Sequence, residues 1–138
     1  MKFDFKKWLV SGFLGGIVFF VLSFIGQFII QSFWPYNALE LPGMRSIEDP
    51  VLLLFFLYPF VLSFAMALVF QAVFGSLKGN FEQKGRQFGV LCWLLASIPS
   101  AFVVFSSMNY PVGFHVENFI FSFAYLVAAG IVIARFSE

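Results

Sequence analysis

The 138-residue chain is 61% hydrophobic, 22% aromatic and only 11% charged, with a mean hydropathy of +0.93. A soluble domain carries roughly a quarter charged residues, so a water-exposed globule is excluded and the apolar excess calls for a bilayer. A net charge of +1 gives no basis for nucleic-acid binding, and the single cysteine, Cys92, rules out an intramolecular disulfide and a cysteine metal cage.

A spanning helix needs about 20 mostly apolar residues. Four segments qualify, and they predict an all-α, four-transmembrane-helix bundle forming a single integral membrane domain over 1–138. The first covers 8–33 and carries no charge. Lys2, Lys6 and Lys7 before it resemble the basic region of a signal peptide, but the apolar run is too long and no small-residue cleavage site follows, so it is expected to be retained. The second covers 51–77, also uncharged, after a connection marked as a loop by Pro35, Pro42, Gly43 and Pro50. The polar stretch 78–87 reads as the next connection, followed by helices over 88–107 and 118–136. The interval 108–117, with Pro111 and Gly113, is short and predicts a tight hairpin of the last two helices. Trp8, Trp34, Tyr36 and Tyr110 stand at the ends of these segments, where rings with one polar tip favour the headgroup region.

The basic residues give an orientation. Lys2, Lys6, Lys7, Lys78, Lys84, Arg86 and Arg135 all fall on one side of an even-span bundle, and Arg45 alone falls on the other. The positive-inside rule places the seven, and both termini, in the cytoplasm of a cell that carries the protein in its cytoplasmic membrane.

Within the helices, Pro59 and Pro99 remove backbone donors and predict kinks. Lipid gives helices no hydrophobic push toward one another, so small residues at four-residue spacing mark contact faces. Gly12 and Gly16 form such a face on the first helix, and Ser63, Ala67, Gln71 and Gly75 on the second. Packing within one chain is the reading preferred over dimerisation through Gly12 and Gly16. Ser23, Gln27 and Gln31 climb one face of the first helix at four-residue steps. Amides in hydrocarbon need partners, so these face the bundle, either as interhelical glue or as a ligand-binding lining.

On these boundaries no Asp, Glu, Lys, Arg or His lies inside a span apart from Arg135 at the end of the last, which disfavours proton-coupled transport and charged-ring channels. His115 and Glu117 read as a solvated interfacial pair; with Glu40, Glu48 and Asp49 they match no metal or catalytic motif, so no metal, cofactor or enzymatic activity is expected.

The run from Gly85 through Arg86, Phe88, Gly89, Cys92 and Trp93 to Ile98-Pro99-Ser100, together with the glycine-rich first helix and Ala129-Gly130-Ile131, resembles small four-helix membrane proteins of bacteria and archaea that have no assigned activity. The resemblance implies fold and membrane location and carries over no functional residue. Three functions remain. The first is a non-enzymatic bundle that associates with membrane lipids, itself or another membrane protein. The second is a small oligomeric transporter or lipid flippase with a neutral polar groove along Ser23, Gln27 and Gln31. The third and least supported is an enzyme with its site near His115.

Overall fold

The computed structural model describes residues 2–138. Among them there is no strand, and four helices are long and apolar enough to cross a membrane: α1 (Phe5–Phe33), α2 (Pro50–Ser76), α3 (Phe81–Ser107) and α4 (Val112–Ser137). The 29 residues of α1 give a rod of about 44 Å at about 1.5 Å per residue, longer than a hydrocarbon core of about 30 Å. Exposed Phe13, Phe28, Leu53, Leu95 and Phe102 clothe the outside of the bundle. In water such a surface would be an aggregation site, whereas lipid tails solvate it.

The helix ends depart from the apolar boundaries because polar caps extend the helices beyond the greasy runs. Asp4 caps α1, its carboxylate accepting from Lys7 N at 3.0 Å, so the helix starts ahead of Trp8. The stretch 81–87, expected as a connection, is the first part of α3. Asn80 and Gln83 form a capping box, Gln83 N donating to Asn80 Oδ1 at 2.9 Å and Asn80 N to Gln83 Oε1 at 3.1 Å. Helix α4 starts at Val112 rather than at 118, because Pro111 precedes it as N-cap and Gly113 is accommodated in its first turn. Asp49 caps α2; the Val51 backbone N–H, and then Arg45, hold its carboxyl below the usual carboxylate range.

Both prolines mark changes of helical type. Residues Pro50–Leu57 wind as a 3₁₀ helix and Tyr58–Val73 as an α-helix. Pro59 has no N–H for the Phe55 carbonyl, which accepts instead from Tyr58 N, one residue closer. Ahead of Pro99, Trp93–Ser97 form a π turn closed by Ile98 N to Trp93 O. A second π turn, Glu117–Phe121, lies in α4 and is closed by Ser122 N to Glu117 O. The two wide turns are tied together: Trp93 Nε1 donates to Phe119 O at 2.9 Å.

Helix α4 packs against the other three helices. The core joins Phe19 of α1, Met66, Ala67 and Phe70 of α2, Phe88 of α3, and Tyr125, Leu126, Ala129 and Ile133 of α4. Glycine brings the backbones of α3 and α4 together: a Cβ on Gly89 would stand 2.6 Å from Val127 Cα and 2.7 Å from Leu126 O. Gly12 and Gly16 of α1 seat the rings of Phe64 and Phe60 of α2, so this small-residue face is filled within the chain. Ser63 is fully buried against Gly15. Gln71 does not bond to another span; it exchanges two 2.9 Å hydrogen bonds with the backbone N–H and C=O of Asp4. Gly75 is a correction to the predicted contact face: nothing lies within 4 Å of where its Cβ would be, because the helix tightens to 3₁₀ at Phe74–Ser76 and leaves the packed face.

The termini lie at one end of the bundle, where Gln71 holds Asp4 and Lys84 pairs with Glu138 at 2.8 Å. The opposite end, carrying the connections 34–49 and 108–111, is called distal below.

Candidate functional site

The distal half of the bundle is hollow. A cavity of about 970 Å³ lies between α1, α2 and α4, touched by Ser97 from the π turn of α3 and roofed by the segment Tyr36–Leu39. Its size falls in the range of small-molecule sites. Ser23, Gln27 and Gln31, the face read from four-residue spacing, all line it, and so does Pro59.

The wall gains polar groups toward one end. Toward the middle of the bundle it is apolar, with Phe19, Phe20, Phe24 and Leu62. Toward the distal end the polar groups Gln27, Gln31, Tyr36, Asn37, Glu117 and Asn118 join it, among the apolar Leu39, Phe55, Phe56 and Phe114. This follows from helix register: along α1 the lining changes from phenylalanine to serine to glutamine in successive turns, and α4 supplies Tyr125, Ser122, Asn118 and Glu117 in the same direction.

Glu117 overturns the expectation that no ionisable group lies within a span, and with it the solvated His115 and Glu117 pair. The pair was assigned to a loop, but both belong to α4. His115 turns away, its ring edge-on to Phe105 at 5.1 Å. Glu117 turns into the cavity, half-buried, where its Oε2 accepts a 2.7 Å hydrogen bond from the Tyr36 hydroxyl. The π turn that begins at Glu117 sets it on this face by adding a residue to the helical turn.

Tyr36 is the hub of the roof. Its carbonyl accepts from Gln31 Nε2, and its hydroxyl also lies 3.4 Å from Gln27 Oε1. A phenol has one proton, and Glu117 takes it at the shorter distance. Gly113 makes the arrangement possible, because a Cβ there would strike the Tyr36 ring at 2.8 Å and Ile30 at 2.9 Å. Burial first, and then the bond to Glu117, hold the Tyr36 hydroxyl well above the ordinary tyrosine range.

The smaller polar groups are satisfied within their own helices. Ser23 Oγ donates to Phe20 O at 2.7 Å, Asn118 Nδ2 to Phe114 O at 2.9 Å and Ser122 Oγ to Asn118 O at 2.6 Å. Tyr125 is different. It is 6% exposed, its hydroxyl lies over Gly26, and among the described residues it has no hydrogen-bond partner. The nearest acceptor to it is the Glu117 carboxylate.

Among the described residues no three His, Cys, Asp or Glu side chains converge, and Glu40, Glu48 and Asp49 do not line the cavity. The sequence names Glu117 only as half of a solvated interfacial pair and Tyr36 only as an interface anchor, and it gives no signal for Tyr125.

The class of protein that fold and cavity define is a multi-pass, four-helix membrane protein with a partly open amphipathic cleft in its distal half. No protein family, characterised protein or solved structure matches the chain.

Proposed function

We propose that this chain is a cell-membrane protein that binds an amphiphilic small molecule or lipid in its distal cavity, with both termini in the cytoplasm and the cavity toward the outer leaflet. The observation that carries the reading is the cavity itself: apolar walls at mid-bundle, hydrogen-bonding groups gathered only toward the distal rim, where they stand among further aromatic residues, and a volume of about 970 Å³. That polarity matches an amphiphile lying along the bilayer normal, head outward and tail inward. A bundle serving only as a scaffold has no use for such a chamber, so ligand handling, as in a small carrier or flippase, is favoured over passive assembly. The orientation rests on the seven-to-one distribution of basic residues. Membrane lipids are the natural partners, and transport in this reading requires a second copy to complete a pathway that four helices can hardly enclose.

Ser23→Trp tests the reading by filling the chamber with an indole. Native mass spectrometry from mild detergent is expected to find wild type carrying a bound lipid-sized molecule and Ser23→Trp without it. Equal occupancy in both proteins overturns the proposal. A reporter fused to Glu138 is expected to be active only in the cytoplasm; activity outside overturns the orientation.

A further inference from the structure

The charge inside the cavity narrows what it takes. Glu117 is the one ionisable acid or base among the lining residues apart from the tyrosines, and among the described residues no lysine, arginine or histidine pairs with it. Seven of the eight basic residues belong to the terminal end of the bundle or the segments leading to it, and Arg45 is engaged with Asp49 at 2.9 Å. The carboxylate accepts a hydrogen bond on Oε2 from Tyr36, and the Tyr125 hydroxyl also approaches it. A half-buried carboxylate without a countercharge favours a cationic partner. The same cavity is lined by aromatic residues, among them Phe20, Phe24, Phe55, Phe114 and Tyr58, and the faces of such rings attract cations.

From this juxtaposition we propose that the cavity selects organic cations: molecules with an ammonium or comparable cationic centre paired with Glu117 and an apolar body among the phenylalanines. The inference rests on the amphiphile-binding reading above and adds the sign of the charge. A divalent metal ion fits poorly, because among the described residues no second carboxylate, histidine or cysteine joins Glu117 to hold it. An anionic head group meets Glu117 with repulsion. An organic cation meets both recognition elements at once, the carboxylate by charge pairing and the rings by cation–π attraction.

The test uses two probes of one shape and opposite charge, tetraphenylphosphonium and tetraphenylborate. Binding to the purified protein in an uncharged maltoside detergent is measured by equilibrium dialysis, with protein-free micelles subtracted. Wild type is expected to hold the phosphonium at least about tenfold more tightly than the borate, a difference of about 1.4 kcal/mol. Glu117→Gln keeps the shape of the side chain and is expected to bring the two affinities to within about threefold, chiefly by weakening the phosphonium. The wild-type comparison needs no variant: borate bound as tightly as phosphonium overturns the cation assignment and leaves the amphiphile reading standing. A folded Glu117→Gln protein that keeps the full preference overturns the role of Glu117. Failure of wild type to bind either probe, together with equal lipid occupancy in wild type and Ser23→Trp, overturns both readings.

Discussion

The Tyr36 hydroxyl donates a 2.7 Å hydrogen bond to Glu117 Oε2 across 81 positions of sequence, and this bond joins the roof of the cavity to the helix that supplies its only carboxylate. Tyr36 stands on the connection leaving α1 and Glu117 on α4, so the bond also closes the distal end over the chamber. Hydrogen bonds to charged groups contribute about 1.5–3 kcal/mol, more than neutral ones. Tyr36→Phe removes the proton and leaves the ring, and is expected to destabilise the bundle by about that amount. Thermal unfolding in mild detergent measures it. A variant as stable as wild type would mean that water already satisfies the carboxylate.

The same hydroxyl gives a pH dependence of known sign. Burial and the Glu117 bond raise its pKa in the folded state above the unfolded value of about 10. Its contribution is therefore fully present below about pH 10 and is lost as pH rises through the folded value, where the unfolded chain releases the proton and the folded chain holds it. Melting temperatures taken at rising alkaline pH are expected to fall above about pH 10, less steeply in Tyr36→Phe. Parallel slopes in the two proteins would assign the loss to other groups.

Glycines with the same helical look have different roles, and substitution separates them. Ala at Gly89 puts a Cβ 2.6 Å from Val127 Cα, a backbone atom that moves only if α3 and α4 part. Overpacking of this kind costs about 1–3 kcal/mol. Ala at Gly75 meets nothing within 4 Å and is expected to change stability by no more than about 0.5 kcal/mol. Unfolding of the two variants side by side is the measurement, and equal losses would refute the glycine-mediated crossing.

These contrasts mark what the sequence could and could not give. The four spans were legible because hydropathy over about 20 residues is a bulk property that survives errors at the ends. The face of Ser23, Gln27 and Gln31 was legible because helix geometry alone puts residues four apart on one side. Glu117 was not. Pro111 and Gly113 carry loop signals, and only packing against α1 shows that they open a helix. The start of α3 was hidden in a polar run, although Asn80 and Gln83 stand at capping-box spacing and gave a signal that hydropathy outweighed. Gly75 had the spacing of a contact residue without the contact, because a helix that changes its winding loses register. The π turns at Trp93–Ser97 and Glu117–Phe121 left no periodic trace; Pro99 predicted a kink near the first without its form, and the second has no proline.

Gln71 was expected to bridge helices and instead holds the segment before α1. Its amide accepts from Asp4 N and donates to Asp4 O, each at 2.9 Å, in the two-bond pattern of a paired strand. Gln71→Leu removes both bonds in a nearly buried position and leaves the Asp4 backbone without those partners. Neutral hydrogen bonds contribute about 0.5–1.5 kcal/mol each, so Asp4 and the first turn of α1 are expected to exchange amide hydrogens about tenfold faster, a change of about 1.4 kcal/mol in local opening. Hydrogen-exchange mass spectrometry of the N-terminal peptide reads this, and α4 peptides serve as the internal reference. Unchanged N-terminal protection would show that Asp4 is held by its own helix cap alone.

Trp93 tests whether the two π turns depend on each other. Its indole reaches from the π turn of α3 to Phe119 O inside the π turn of α4, at 2.9 Å, and its ring stands edge-on to Phe123 at 5.1 Å. Widening a turn misaligns carbonyls with their usual partners, so a side-chain donor from the neighbouring helix has a physical reason to be there. Trp93→Phe keeps an aromatic ring and removes the donor, which is expected to cost about 1–2 kcal/mol. Relaxation of Glu117–Phe121 toward α-helical winding would then rotate Glu117 about the helix axis and away from Tyr36. The specific expectation is a cavity altered from a distance: Trp93→Phe should lower phosphonium binding although Trp93 does not line the chamber. Binding at wild-type strength in a destabilised Trp93→Phe protein would separate the π turn from the site and leave the indole a role in packing α3 on α4.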